Sequence, residues 1–424
     1  MDSVIYLCRN RLPAICGLYL STFKKIVYAM ENVGGKTPST NDMMEVVVNK
    51  NEYDVKARVL AFYLPQFHPI PENDLWWGKG FTEWTNVGKA KRLFPGHYQP
   101  RVPADLGYYD LRVPETREAQ ANLAREYGVE GFVYWHYWFG NGKRLLERPF
   151  NEVLASGKPD FPFCLAWANE SWKGFWHGLE DRNMLIEQTY PGKEDYEAHF
   201  NAVLPAFRDK RYIRCNGHPV FFIYKPTQLP DDFIDTWQNL AAKNGIPEIY
   251  FVAHVQNRYE KESCEKEIAT IKSKKYSALN IMNLLGQCNI GLPLWLRIVR
   301  RLLLCNRFLY KYHLIPNISI YCKEGIESPV DGDSFVIPSV APGWDHTPRT
   351  GREGRVLIGS TPEKFEDVVR TQVDKIMSKP FEERFLVIKS WNEWAEGNYL
   401  EPDLRYGHKY LQALRNAISD VSKK

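Results

Sequence analysis

The chain has 424 residues, with 55 Lys and Arg against 51 Asp and Glu, so no global field argues for a nucleic-acid partner. That length can bury a large core, as one big domain with insertions or as two domains. Aromatic residues are unusually frequent at 14% of the chain, and many stand beside polar residues where they can stack on a ligand.

The eight cysteines (Cys8, Cys16, Cys164, Cys215, Cys264, Cys288, Cys305 and Cys322) contain no C-x-x-C pair and no metal-finger spacing. They fit reduced thiols in a cytosolic enzyme better than a disulfide framework. Residues 1–56 read as an N-terminal extension of unclear role. Within it Leu12 to Phe23 is moderately apolar, flanked by Arg9 and Arg11 and by Lys24-Lys25. It is too short to span a membrane, and no clean small-residue cleavage site follows. A weak secretory signal, a peripheral extension and a mis-assigned start codon all remain open.

The globular pattern begins at Ala57 and runs to about 420. Ala57 to Leu64 reads as a first strand ended by Pro65. Residues 65–110 then form a long segment carrying Gln66, His68, Trp76, Trp77, Glu83, Trp84 and His97, the signature of a lid or binding loop. Pro114 opens a helix closed by Gly128. Val129 to Trp135 is a second strand, with His136, Tyr137 and Trp138 at its end. A helix near 144–156 leads to strand Phe163–Trp167 and then to Asn169 and Glu170. Helices across 194–209 and 231–244 precede strands Val220–Tyr224 and Ile249–His254. Tyr276–Ile281 and Ser334–Val340 are the sixth and seventh strands, the latter followed by Trp344 and Asp345. A helix from Pro362 precedes the eighth strand, 385–390, and a last helix covers 408–418.

Eight strands alternating with helices predict an α/β fold, a (β/α)8 TIM-like barrel with a long loop after strand 1. The conspicuous polar and aromatic residues fall at C-terminal strand ends, where such barrels place their chemistry. A doubly wound sheet is the alternative, but no glycine-rich phosphate loop follows the first strand. A basic insertion, 282–323, interrupts the pattern between strands 6 and 7. Inside it 293–312 reads as an amphipathic helix, with Arg297, Arg300, Arg307 and Lys311 on one face. Such a helix either lies on an anionic membrane or decorates the barrel through its apolar face.

The stretch after strand eight, Ser390-Trp391-Asn392-Glu393-Trp394-Ala395-Glu396-Gly397, holds two carboxylates among indoles. In an extended strand Glu393 and Glu396 diverge; in a turn they share a face. Two converging carboxyl groups flanked by tryptophans suggest glycosidic chemistry, one as proton donor and the other as base or nucleophile. No H-E-x-x-H, calcium loop or Cys/His cluster appears, so neither metal nor cofactor is expected.

Several segments together resemble the WbsX-like family, a glycoside hydrolase family 99-like domain of bacterial surface-polysaccharide loci. They are Ala61 to Pro69, Trp76 to Val87, Gly131 to Phe139, Ala166 to Glu170, Pro342 to Asp345 and Trp391 to Gly397. The match covers about 57–415. Family 99 hydrolases are (β/α)8 barrels that cleave α-mannosyl chains with retention, and their two carboxylates sit in a Glu-Trp-His-Glu-Gly motif. By resemblance Glu393 is the base that removes the proton of the sugar 2-hydroxyl, and Glu396 the acid that protonates the leaving oxygen. Ala395 stands where the hydrolases carry His, which puts mannosidase specificity in doubt.

The residues expected to bind substrate are Tyr63, His68, Trp84, His136, Tyr137, Trp138, Asn169, Glu170, Trp344, Asp345, Trp391, Asn392 and Trp394. The expected partner is a glycan or lipid-linked oligosaccharide, with peripheral membrane contact through 293–312 and no nucleic acid. The expected location is cytoplasmic, at or near the inner membrane. Three functions follow. One is a retaining glycosidase or transglycosidase of O-antigen or capsule metabolism, another a glycosyltransferase, and the third an inactive carbohydrate-binding barrel.

Overall fold

The computed structural model describes residues 55–94, 96–174, 184–283 and 317–419. Residues 1–54 of the N-terminal extension and the basic helix expected at 293–312 lie outside the described residues.

Eight strands form the centre: β1 (Arg58–Tyr63), β2 (Val129–Trp138), β3 (Phe163–Trp167), β4 (His218–Ile223), β5 (Tyr250–Gln256), β6 (Ala278–Met282), β7 (Val336–Val340) and β8 (Phe385–Ile388). Each pairs in parallel with the next. β8 pairs with β1 in register Val59↔Leu386, which closes the barrel. Strands covered on both faces lose water on both, so they read as continuous apolar runs. β1 and β8 are buried along their whole length. Side chains still alternate between the two sides. Phe62 and Trp135 stack inside the barrel with ring centroids 4.5 Å apart, while Tyr63 and Tyr134 meet outside it.

The long segment after β1 is more ordered than its composition suggests. It carries two short helices, α1 (Pro71–Trp77) and α2 (Glu83–Lys89), the second started by a capping box between Thr82 and Thr85. Around the barrel follow α3 (Pro114–Glu126), α4 (Arg148–Ser156), α5 (Lys193–Arg208), α6 (Phe233–Lys243) and α7 (Lys261–Ser273). A short α8 (Thr347–Thr350) leaves β7, and α9 (Pro362–Ile376) and α10 (Lys409–Ile418) complete the ring. Helix α7, between β5 and β6, has no counterpart in the sequence reading. Among the described residues no helix is long and apolar enough to cross a membrane.

One strand boundary matters for function. β2 runs to Trp138 rather than ending at Trp135, because Tyr137 and Trp138 pair antiparallel with Arg144–Leu145 in a hairpin. His136, Tyr137 and Trp138 therefore obey strand alternation instead of forming one wall.

Candidate active site

At the C-terminal ends of the strands lies a cavity of about 380 Å³. Trp135, Tyr137, Trp172, Tyr224 and Trp77 give it aromatic walls, and Lys389, Glu393, Glu396 and Arg349 sit within its lining. Aromatic sides around a few convergent polar groups are typical of a small-molecule site.

The turn after β8 sets the carboxylates. Asn392–Glu393 pairs antiparallel with Asn398–Tyr399, and Trp394–Glu396 between them forms a single 3₁₀ turn. Ser390 locks the corner: its Oγ accepts from the Glu393 backbone N at 3.0 Å and donates to the Asn398 carbonyl at 2.8 Å. Gly397 follows at φ +57, a left-handed backbone that a side chain disfavours. A Cβ there would also lie 2.7 Å from the Asp345 Cβ.

Lys389 joins the pair. Its Nζ donates to both Glu393 oxygens, at 3.0 and 2.9 Å, and lies 3.8 Å from Glu396 Oε2. Trp135 Nε1 donates to Glu393 Oε1 at 3.1 Å. Arg349, from α8, pairs with Glu396 Oε1 through Nη1 and with Glu83 Oε1 at 3.1 Å through Nη2. Glu83 has no exposed side-chain surface. Three carboxylates thus meet the guanidinium of Arg349 and the ammonium of Lys389 in a largely buried space.

The site tunes its two glutamates apart. Burial, then the charge of Glu396, pushes Glu393 up to about 7 against the pull of Lys389. Burial also acts to raise Glu396, but the Arg349 guanidinium outweighs it and holds that carboxyl below its ordinary value. The two shifts run in the opposite order to the roles that the family resemblance implies.

The residues expected to bind substrate fall into two groups. Tyr137 and Glu170 line the cavity with the two glutamates. Glu170 is half-buried, 3.6 Å from Lys225 Nζ. The others lie behind it. Tyr63 points out of the barrel and donates to Gln120 Oε1 at 2.7 Å. His136 and Trp138, on the outer face of β2, meet α5: His136 Nε2 lies 2.8 Å from His199 Nε2, and Trp138 Nε1 donates to Asp195. His68 is buried with Nδ1 2.8 Å from the Pro65 carbonyl. Asn169 clamps the Lys225 backbone and accepts from its N at 2.8 Å. Trp344 packs against the core and stacks on His346, which itself lines the cavity.

Asp345, Trp391, Asn392, Trp394 and Trp84 serve the scaffold of the turn. Asp345 is fully buried and accepts from Thr347 N, Thr347 Oγ1, His97 Nε2 and Gln99 Nε2. It starts α8 and so aims Arg349 at Glu396. Asn392 accepts from Leu64 N at 2.7 Å and donates to the Leu64 carbonyl at 3.1 Å, fastening the turn to β1. Trp394 stacks on Tyr399 at 3.8 Å and donates to Glu401 Oε2 at 2.6 Å. Trp84 packs on Trp394, and Trp391 is buried against Phe132.

Sequence reasoning missed Arg349, Lys389, Trp135, Trp172, Tyr224 and His346 as site residues, and carried Gln66, Trp77 and Glu83 only as parts of a loop. Lys389 had a usable sign, a lone cation ending an apolar strand four residues before Glu393. Nothing around Arg349 marks it. Among the described residues no three His, Cys, Asp or Glu side chains converge as a metal site.

Residues 59–414 match the family described as glycosyltransferase WbsX. The chain belongs to the WbsX family. Two uncharacterized proteins called WxcX, from two strains of Xanthomonas campestris pv. campestris, are each 38% identical to this chain over 372 residues, 86% of its length. The chain spans about half the length of these curated relatives, 50%. Among solved structures, a glycoside hydrolase-like protein that is 13% identical aligns with 91% of this chain and 98% of its own, at a TM-score of 0.55. The GH99 endo-alpha-mannosidase from Bacteroides thetaiotaomicron, in complex with bis-tris-propane, is 14% identical. It aligns over 85% of this chain and 96% of its own, at a TM-score of 0.50. At such identities the likeness is one of fold, the parallel eight-stranded barrel.

Proposed function

We propose that this chain makes or cleaves glycosidic bonds of a bacterial surface polysaccharide, O-antigen or capsule, with Glu393 and Glu396 as its proton-transferring pair. One observation carries the reading: both carboxylates meet the single ammonium of Lys389 in an aromatic-walled cavity at the barrel mouth. Sugar rings stack on such walls, and their hydroxyls suit the polar lining. The shared ammonium of Lys389 holds the two carboxyl groups near each other, which supports a retaining course.

Glu393, whose carboxyl the site raises, gives its proton to the leaving oxygen as the bond to the anomeric carbon breaks. Glu396, held ionised by Arg349, supports the positive charge that develops on the sugar. It does so by attacking the anomeric carbon or by taking the proton of the 2-hydroxyl so that this oxygen attacks instead. Glu393, now a carboxylate, removes the proton from the incoming water or sugar hydroxyl as it re-forms the bond. Water as acceptor gives hydrolysis and a sugar hydroxyl gives transfer. Lys389 limits the charge that builds up between the two glutamates.

The family name favours a second reading, transfer from a nucleotide sugar or lipid-linked sugar. Incubation with α-mannosides and with nucleotide sugars, read by mass spectrometry, separates the two. Glu393→Gln and Glu396→Gln should each lower turnover on the order of 10³-fold with an unchanged circular dichroism spectrum. Full activity in both variants would remove the mechanism. Sugar binding without turnover in the wild type would point to a carbohydrate-binding barrel.

A further inference from the structure

A second cavity, about 220 Å³, opens on the other side of the catalytic turn and shares no lining residue with the first. The chain between them is one peptide thick: Glu396 lines the catalytic cavity and Gly397 lines this one. Two arginines line it. Arg101 donates through Nη1 to the Gly397 carbonyl at 3.1 Å, and its guanidinium lies over the rings of Tyr98 and Tyr399 at 5.4 and 5.5 Å. Arg405, from the loop after the turn, lies over Tyr98 at 4.7 Å and Tyr406 at 5.1 Å. Among the described residues neither guanidinium has a carboxylate within ion-pair distance, and the buried Nε of Arg101 has no acceptor.

The cavity's own acids are already taken. Asp345 receives the four hydrogen bonds described above. Asp403 accepts from the hydroxyls of Tyr98 at 3.1 Å and Tyr399 at 2.7 Å, and from the backbone N of Arg405 and of Tyr406. Glu401 accepts from Tyr109, Gln120 and Trp394. What remains is a surplus of donors, since a guanidinium carries five N–H groups and no acceptor. A neutral sugar hydroxyl needs both a donor and an acceptor, whereas an oxyanion needs donors alone. Planar guanidinium groups are the preferred partners of phosphate and carboxylate oxygens.

We propose that this cavity is an oxyanion site that takes a phosphate or carboxylate group, held between Arg405 and Arg101. The proposal is independent of the reaction assigned to Glu393 and Glu396. Because Arg101 holds the carbonyl next to Glu396, an occupant would bear directly on the turn that carries the catalytic pair.

Isothermal titration of the full chain tests it, with inorganic phosphate and glucuronate as probes and methyl glucoside as the neutral control. Phosphate, glucuronate or both should bind with one-to-one stoichiometry, and which of them binds tells a phosphate group from an acidic sugar. Methyl glucoside should not bind there. Arg405→Ala, an exposed position, should weaken binding at least about tenfold, and Arg405→Lys should restore part of it. Arg101→Lys should weaken it as well. Three results would overturn the proposal: no binding of either anion at about 20 mM, equal binding by wild type and Arg405→Ala, or methyl glucoside binding as tightly as the anions.

Discussion

Replacing Arg349 with Met tests the electrostatics of the site more sharply than removing either Glu393 or Glu396. The guanidinium bridges Glu83 and Glu396, whose side chains are 0% and 12% exposed, and is itself 11% exposed. Methionine keeps the bulk and removes the charge, so that Glu83 loses its 3.1 Å ion pair and Glu396 keeps Lys389 at 3.8 Å. Breaking a buried ion pair by deleting one partner costs about 3–5 kcal/mol. The cost should depend on pH, with a sign that can be worked out. In the wild type Glu396 is held below its unfolded value, so its contribution to stability is present above that value and lost as pH falls through the folded one. In the variant, burial without Arg349 should raise Glu396 instead, so that stability is lost as pH rises. The penalty should therefore be largest near pH 8 and shrink near pH 4.5. Urea unfolding followed by tryptophan fluorescence at the two pH values measures it. A penalty under about 1 kcal/mol, or one equal at both pH values, would refute the view that Arg349 neutralises a buried pair.

Three further predictions follow the same logic. Gly397→Ala puts a side chain at φ +57 with its Cβ 2.7 Å from Asp345 and 2.9 Å from the Arg101 guanidinium carbon. It should cost roughly 2–4 kcal/mol by urea denaturation, and a near-neutral result would mean that the turn yields more readily than its packing implies. Glu401→Gln sets an amide against one of the three donors that converge on that carboxyl, Tyr109, Gln120 or Trp394. Stability should fall about 1–3 kcal/mol and kcat should fall with KM nearly unchanged, because Glu401 holds Trp394 and does not line the cavity of Glu393 and Glu396. His136 and His199 are both lowered by burial, His136 to about 3, so the unfolded chain binds protons below pH 6.5 that the folded chain does not. Stability should fall between pH 6.5 and 4.5 by about 5 kcal/mol from the pair, and His199→Phe should flatten that slope by about 1.4 kcal/mol per pH unit.

The barrel was legible because parallel strands buried on both faces must be apolar along their length. The run Phe385-Leu386-Val387-Ile388 can hardly be anything else. The strand ends were legible for the same reason, since polar and aromatic residues that break such runs stand where the barrel opens. Which of those residues face the cavity was less legible. Tyr63 and Phe62 are neighbours, yet only Phe62 points inward. His136 was read beyond the end of β2, whereas a hairpin with Arg144–Leu145 prolongs the strand and turns it outward. Alternation would have sorted these positions once the strand end was known, but that end depends on a partner eight residues away in sequence.

Sequence alone determined the fold class, the family and the placing of two glutamates three residues apart just past a buried strand, all properties of short contiguous stretches. The tertiary structure alone decided which charges surround those glutamates. Arg349 reaches Glu396 from α8, and Glu83 arrives from α2, segments separated from the turn by 47 and 313 residues. Burial and a neighbouring cation act across space and fall off within a few ångströms, so no local pattern encodes them. For that reason the motif names the two carboxyl groups, while the packing around Arg349 and Lys389 sets the direction in which each is shifted.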